Sequence, residues 1–335
     1  MLSFKSDSVE KTLELGQKLA QEIYTGMNIF LFGEMGAGKT KFIKGFLKER
    51  KIKEESISSP TYTFAHYYET EKEKLVHYDL YRTEEDIENI GIEDDFFADD
   101  TTVIIEWSEK LQTLPIPRIE VHIKKIDINK REINFDFIGY TLEEKKLKNL
   151  ITRYKIPKHI QKHINAVTHV ALTLTEHLIN KGYILNKELI RQASLLHDLV
   201  RYIDFKDGLT REKFPYKVDD DTWNFWLKTR KIHEGRHHGD VANEILFKRG
   251  YPYIGKVILA HKTRRILEGF ENTSEKIIHY ADNRCKHDKV VSLKERFDDF
   301  KDRYYKYYPD SLHWEELEKR NIKLEKELKA KNIQF

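Results

Sequence analysis

The octapeptide Gly33-Glu34-Met35-Gly36-Ala37-Gly38-Lys39-Thr40 satisfies G-x-x-x-x-G-K-[ST] at each fixed position. Its glycines permit a tight turn in which successive backbone N–H groups face phosphate oxygens. A helix starting near Lys39 adds the positive end of its dipole. In that arrangement Lys39 lies against the β- and γ-phosphates of ATP, and the Thr40 hydroxyl ligates Mg²⁺. Such a loop also needs an acid at a neighbouring strand end. Glu106 closes the apolar run Val103-Ile-Ile-Glu106-Trp107, and Asp79 follows Leu75–Tyr78. Either can hold the cation, directly or through water, or orient an attacking water. The plainer role for Asp79 is to cap the helix after it.

A second constellation lies further along. Only three of the 15 histidines precede residue 150, and neutral imidazole is the commonest metal ligand. His163 starts a four-residue spacing with Val167 and Ala171 that projects one helix face toward a shared core. His197-Asp198 sits inside the apolar stretch Leu195–Val200, and Asp282 ends Ile277–Ala281. Buried carboxylates are costly unless paired or metal-bound, so Asp198 and Asp282 carry more information than the histidines. His169 is a rival for the first position. Histidines with two aspartates suit Mn²⁺, Fe²⁺, Co²⁺, Ni²⁺ or Mg²⁺, with open positions for water. A cation so held activates water for attack on phosphorus, with Asp198 at the centre of the chemistry. Lys262, Arg264 and Arg265 then read either as a phosphate grip or as surface charge. Trp223, Phe225 and Trp226 read as core, with base stacking the alternative.

Positioning these groups requires two kinds of scaffold. Through residue 140 the pattern alternates helix and strand: a helix over Val9–Ile23, strands at Asn28–Phe32, Lys74–Leu80 and Thr102–Trp107, a helix over 39–50, and an alternating hairpin over 118–137 at the sheet edge. Beyond it long helical segments dominate. The expected organisation is an α/β P-loop domain, mainly parallel sheet with helices (1–140), then a lysine-rich linker (141–156). An all-α helical bundle (157–310) follows, and then a charged C-terminal helix (311–335), solvated or partner-binding.

Composition narrows the class. The 335 residues include 59 Lys and Arg against 56 Asp and Glu, too balanced to signal nucleic-acid binding. No apolar run approaches membrane-spanning length, and no secretory signal is visible, so a cytoplasmic protein without membrane association is expected. The single cysteine, Cys285, excludes an intrachain disulfide and a cysteine zinc cluster.

GEMGAGKT, Ser59-Pro-Thr-Tyr-Thr63, His77-Tyr-Asp-Leu-Tyr-Arg82 and Ile104-Ile-Glu-Trp107, in this order, resemble the TsaE (YjeE) family over about residues 1–135. The resemblance implies an ATPase acting in threonylcarbamoyladenosine formation on tRNA. It binds a TsaB–TsaD transferase pair, resets that pair by ATP hydrolysis, and meets tRNA only indirectly. It further implies Thr40 and Glu106 as magnesium ligands, Thr12 near the nucleotide, and Asp79 and Trp107 in turnover. Residues 59–63 are implied as a switch-like segment, and Arg82 is the candidate arginine finger. Over about 155–305 the histidines and aspartates resemble the HD-domain phosphohydrolases. That implies His163, His197, Asp198 and Asp282 as ligands, with His238 and His261 binding a second metal or contacting phosphate. A nucleotide, in particular a nucleoside monophosphate, is the implied substrate. Leu199-Val-Arg-Tyr202 departs from that family's usual Ile-Gly-Lys ending, with Arg201 standing in for the lysine. The alternatives are a non-catalytic nucleotide-binding module for the second half, one that regulates the ATPase included, and a small-molecule kinase for the first.

Overall fold

Uninterrupted apolar runs form strands only where both faces are covered, and the first part of the chain builds such a sheet. The computed structural model describes every residue except 58, 59, 61, 62, 83–90, 206, 207 and 305–310, with backbone alone at 213, 304, 311 and 312. The chain divides into two compact units, Met1–Tyr140 with Gly182–Ile184, and Thr141–Lys181 with Leu185–Phe335.

In chain order the first unit contains β1 (Leu2–Ser6), α1 (Val9–Glu22), β2 (Ile29–Phe32), α2 (Lys39–Glu49), β3 (Ala65–Glu69), β4 (Lys74–Asp79), α3 (Ile92–Phe96), β5 (Thr101–Glu106), β6 (Arg118–Lys125) and β7 (Arg131–Ile138). The sheet order is β1-β7-β6-β2-β5-β4-β3. The central strands β6, β2, β5 and β4 run parallel. The outer pairs β1–β7, β6–β7 and β3–β4 are antiparallel. Every residue of β5 is buried, which explains its lack of alternation. The hairpin expected at the sheet edge forms, but inside the sheet: β6 pairs with β2, and β1 covers β7. Helices α1 and α2 cross at glycines. A Cβ on Gly16 would meet the Phe42 carbonyl oxygen at 2.0 Å, and one on Gly45 the Leu13 oxygen at 2.0 Å. The backbones therefore touch where any side chain would separate them.

The second unit is helical: α4 (Glu144–Arg153), α5 (Lys158–Asn180), α6 (Lys187–Leu196), α7 (Asp220–Ile232), α8 (His238–Phe247), α9 (Pro252–Leu259), α10 (Arg265–Glu268), α11 (Thr273–Asn283), α12 (Leu293–Tyr304) and α13 (Ser311–Glu327), with a two-strand ribbon of β8 (Cys285–Lys286) and β9 (Lys289–Val290). Along α5, Ile160, Ile164, Val167, Ala171, Leu174 and Leu178 are buried at three- to four-residue steps, a single core-facing stripe. Asn186 and Asn272 cap α6 and α11 by accepting from Leu189 N–H and Glu275 N–H. Two expectations need correction. Residues 141–156 are not merely a linker, because α4 buries Leu147 and Leu150. The C-terminal helix is not simply solvated: Trp314, Leu317, Leu324 and Leu328 are buried, and its charges occupy the other face. Among the described residues no helix is long and apolar enough to cross a membrane.

Candidate nucleotide and metal sites

Gly33–Thr40 joins β2 to α2, as the octapeptide requires. Gly36 and Gly38 have φ of 75° and 112°, left-handed values that a residue with a Cβ rarely adopts. Gly38 is the N-cap of α2, so Lys39 and Thr40 open the helix. Lys39 is buried, and its Nζ donates to the Gly33 and Glu34 carbonyls at 2.5 and 3.2 Å. The same ammonium lies 3.5 Å from the Trp107 ring centroid. Burial lowers its pKa, against the opposing charges of Glu106, Glu109, Asp79 and Glu34. Trp107 has φ of 63° and packs on Tyr81 at 5.0 Å.

Glu106 ends β5, beside Leu31 of β2 and Asp79 of β4 in register. Its Oε2 accepts from the Thr40 hydroxyl at 3.0 Å. Asp79 is buried, and its Oδ1 accepts Tyr81 N–H at 3.0 Å within the turn after the strand; the helix it is expected to cap would fall on 83–90, outside the described residues. Thr12 lies beneath the loop: its Cγ2 is 3.7 Å from the position of a Cβ on Gly38, and its hydroxyl bonds Ser6 at 2.8 Å. Glu34, Met35 and Gly36 form the exposed tip and Ala37 is buried under it. Of the segment 59–63, residues 59, 61 and 62 lie outside the described residues.

The second constellation converges. His163 Nε2 is 2.9 Å from Asp282 Oδ1 and 3.9 Å from Asp198 Oδ2. His197 Nε2 is 3.8 Å from Asp198 Oδ2 and 3.9 Å from Asp282 Oδ1. On the other side His238 Nε2 is 2.9 Å from Asp198 Oδ1 and 2.8 Å from His261 Nε2. Each Nδ1 points away from the cluster toward an acceptor. Nδ1 of His163 faces the His287 carbonyl at 2.8 Å, that of His197 the Ser194 carbonyl at 2.7 Å, and that of His261 the Ile258 carbonyl at 2.6 Å. His238 Nδ1 faces Asp204 Oδ2 at 2.7 Å. Carbonyls and carboxylates only accept, so each Nδ1 donates; the Nε2 of His197 and His261 keeps an inward lone pair, whereas the Nε2 of His163 and of His238 faces the Asp282 and Asp198 carboxylates, and although burial lowers both imidazole pKa values these pairings outweigh it and raise them. The His197 Nε2 is buried and has no partner. Imidazole nitrogens and carboxylate oxygens gathered at such distances could hold a cation, and the outward bonds match the supports that orient metal-binding imidazoles.

The electrostatics follow from these histidine–carboxylate pairs. Burial raises the Asp198 carboxyl, but His197, His238 and Arg201 outweigh it and hold the group well below the carboxylate range. Asp282 is held low in the same way by His163 and His197. His261 is pushed well down by burial and by His238, so it is neutral. The rival His169 is exposed and outside the cluster. Lys262 pairs with Asp240, and Arg265 with Glu268 and the buried Glu275, so these two are held by carboxylates rather than free to grip phosphate. Trp226 is core: its Nε1 donates to the Lys155 carbonyl, and its ring stacks on Tyr202 and Phe214.

Some participants were not singled out from sequence. Asp204 fixes the His238 ring and also pairs with Arg201, yet nothing in the local pattern marks it. His237 caps α8, its Nδ1 accepting Gly239 N–H at 3.0 Å, and the His237-His238 doublet was the available sign. Arg131 Nε donates to the Ala37 carbonyl at 3.2 Å, bracing the glycine loop from β7. His77 is taken up below.

A glycine loop between strand and helix, a lysine and threonine opening that helix, and an acid on the adjoining parallel strand define the first unit as a P-loop nucleotide-binding protein. Residues 6–133 match the family described as "Threonylcarbamoyl adenosine biosynthesis protein TsaE". The tRNA threonylcarbamoyladenosine biosynthesis protein TsaE of Bacillus subtilis (strain 168) is 32% identical over 143 residues, 42% of this chain and 89% of that protein. The protein of that name from Aquifex aeolicus (strain VF5) is 36% identical over 128 residues, 38% of this chain and 90% of that protein. A solved structure, "Crystal structure of Bacillus subtilus YdiB", is 27% identical, covers 41% of this chain and 86% of its own, and gives a TM-score of 0.35. The chain belongs to the TsaE family, and the family match lies within its first unit.

Proposed function

We propose that the first unit hydrolyses ATP in support of threonylcarbamoyladenosine formation on tRNA, acting on a TsaB–TsaD type transferase rather than on tRNA itself. The Thr40–Glu106 hydrogen bond carries this reading, because it joins the loop to the acid of the neighbouring strand. Bound Mg²⁺ would be held by Thr40 and Glu106 and would neutralise charge on the β- and γ-phosphates. The protein's own parts do the rest. The Gly33–Thr40 amides orient the triphosphate. Lys39 leaves the loop carbonyls for the phosphate oxygens. Asp79 and Trp107 bound the reacting end, and Thr12 supports the loop from below. Lys39→Ala should lower phosphate release from Mg-ATP by about 10²–10³-fold, the usual cost of losing one charge-stabilising donor. Phosphate appearing on a second product instead of in solution would convert the reading to a kinase.

For the second unit we infer a divalent-metal phosphohydrolase of the HD type, acting on a nucleotide, with a nucleoside monophosphate the leading candidate. The unpartnered lone pair of buried His197 supports it, together with the inward-facing Nε2 atoms of His163, His238 and His261. His163, His197, Asp198 and Asp282 would hold one cation, and His238 and His261 a second or the phosphate. Such a cation supplies activated water and charge neutralisation at phosphorus. Asp198 and Asp282 provide the negative charge that retains it. Incubating the full chain with each metal and a nucleotide panel tests this. Phosphate released from an adenylate is expected. Bound metal with no release from any nucleotide would favour a non-catalytic binding module.

A further inference from the structure

His77 occupies the middle of β4, between β3 and β5, where Leu75 through Asp79 are all buried. An imidazole there is expensive unless its nitrogens are paired. One is: Nε2 lies 3.1 Å from Glu106 Oε1. The other, Nδ1, is buried with no partner. A strand core filled for stability alone would hold an apolar residue at this position, as its β5 neighbour Ile104 does, while its β3 neighbour is His66. The retained contact is therefore the one to Glu106. That carboxylate accepts on both oxygens, from His77 on Oε1 and from Thr40 on Oε2. The chain His77–Glu106–Thr40 crosses from β4 through β5 to the first turn of α2. It aims the Thr40 hydrogen at Glu106, so the lone pairs of that hydroxyl are not spent on this bond.

We propose that His77 is a positioning residue for the cation of the nucleotide site: its Nε2–H fixes the Glu106 carboxylate, which in turn orients the Thr40 hydroxyl. The inference rests on the reading of the first unit as a Mg²⁺-dependent ATPase. Groups that orient a metal's own ligands typically contribute 10–100-fold to metal affinity. A glutamine places its amide N–H near the imidazole Nε2, whereas a leucine fills the volume without a donor.

The test uses the full chain and reads the Mg²⁺ concentration that half-saturates ATP turnover. His77→Leu is expected to raise it about 10–100-fold while turnover at saturating Mg²⁺ falls less. His77→Gln is expected to restore it to within a few-fold of the parent. A thermal melt of each variant separates loss of fold from loss of positioning. Should His77→Leu fail to fold, His77→Asn, whose amide is too short to reach Glu106, takes its place against His77→Gln. Equal Mg²⁺ midpoints for the parent, the Gln variant and the donor-less variant overturn the proposal and leave the ATPase reading intact. A parent chain that neither binds nor hydrolyses Mg-ATP overturns the ATPase reading, and the proposal with it.

Discussion

This protein buries several imidazoles, and their protonation has a measurable consequence. His279 on α11 is fully buried, and its Nδ1 donates to the Ala260 carbonyl at 2.8 Å, next to His261. Burial pushes its pKa from 6.5 down to about 4. The unfolded chain therefore binds more protons than the folded one between those values, and folding stability falls as pH drops from about 6.5 toward 4. At 1.36 kcal/mol per unit this amounts to roughly 3 kcal/mol. Denaturant midpoints measured across that range should decline with acid, and His279→Asn should flatten the decline. An unchanged slope would assign it to other groups, His237 first, whose pKa also lies near 4. Residue types at this scale were readable in advance. The P-loop and the His-Asp set follow from identity and spacing. Asp204 and His77 were not singled out, because what makes them matter is the direction of one N–H, which no spacing encodes.

Elements fix where those residues can be. The Gly16–Gly45 crossing lets α1 lie directly on α2, which brings Thr12 under Gly38. Gly45→Ala would drive a methyl into the Leu13 carbonyl, so the helices must part. We expect a loss of about 1–3 kcal/mol in denaturant unfolding together with weaker nucleotide binding. Wild-type nucleotide affinity in a destabilised variant would show that the crossing serves stability alone. The parallel strands were legible because apolar runs ended at Gly33 and Glu106. β1 and β3 were not. β1 pairs with residues well over a hundred positions away, and Tyr67 of the edge strand β3 is exposed, so neither carries a local pattern. Along α13 and just past its end, the density of Lys and Glu hid a buried stripe at Leu317, Leu324 and Leu328.

At the scale of the whole chain, the two proposed cation sites lie in different units: Thr40 and Glu106 in one, His163, His197, Asp198 and Asp282 in the other. Ligands that bind only the folded state stabilise it by mass action, about 2.7 kcal/mol at a hundredfold excess over Kd. Mg-ADP and Mn²⁺ should each raise the thermal midpoint of the intact protein. Asp282→Ala should abolish the Mn²⁺ effect and spare the nucleotide effect, whereas loss of both would show that the centres share a ligand. The inward-facing imidazole nitrogens carry one more implication. A nitrogen-rich cage assembled before its guest arrives binds late first-row ions in the general order of their ligand affinity, with copper and nickel ahead of manganese. Under the proposed metal reading, what occupies it after isolation will thus record the solutions the protein has passed through. Chromatography on an immobilised-nickel resin would plant nickel there, so the native occupant has to be sought in material that never met such a column.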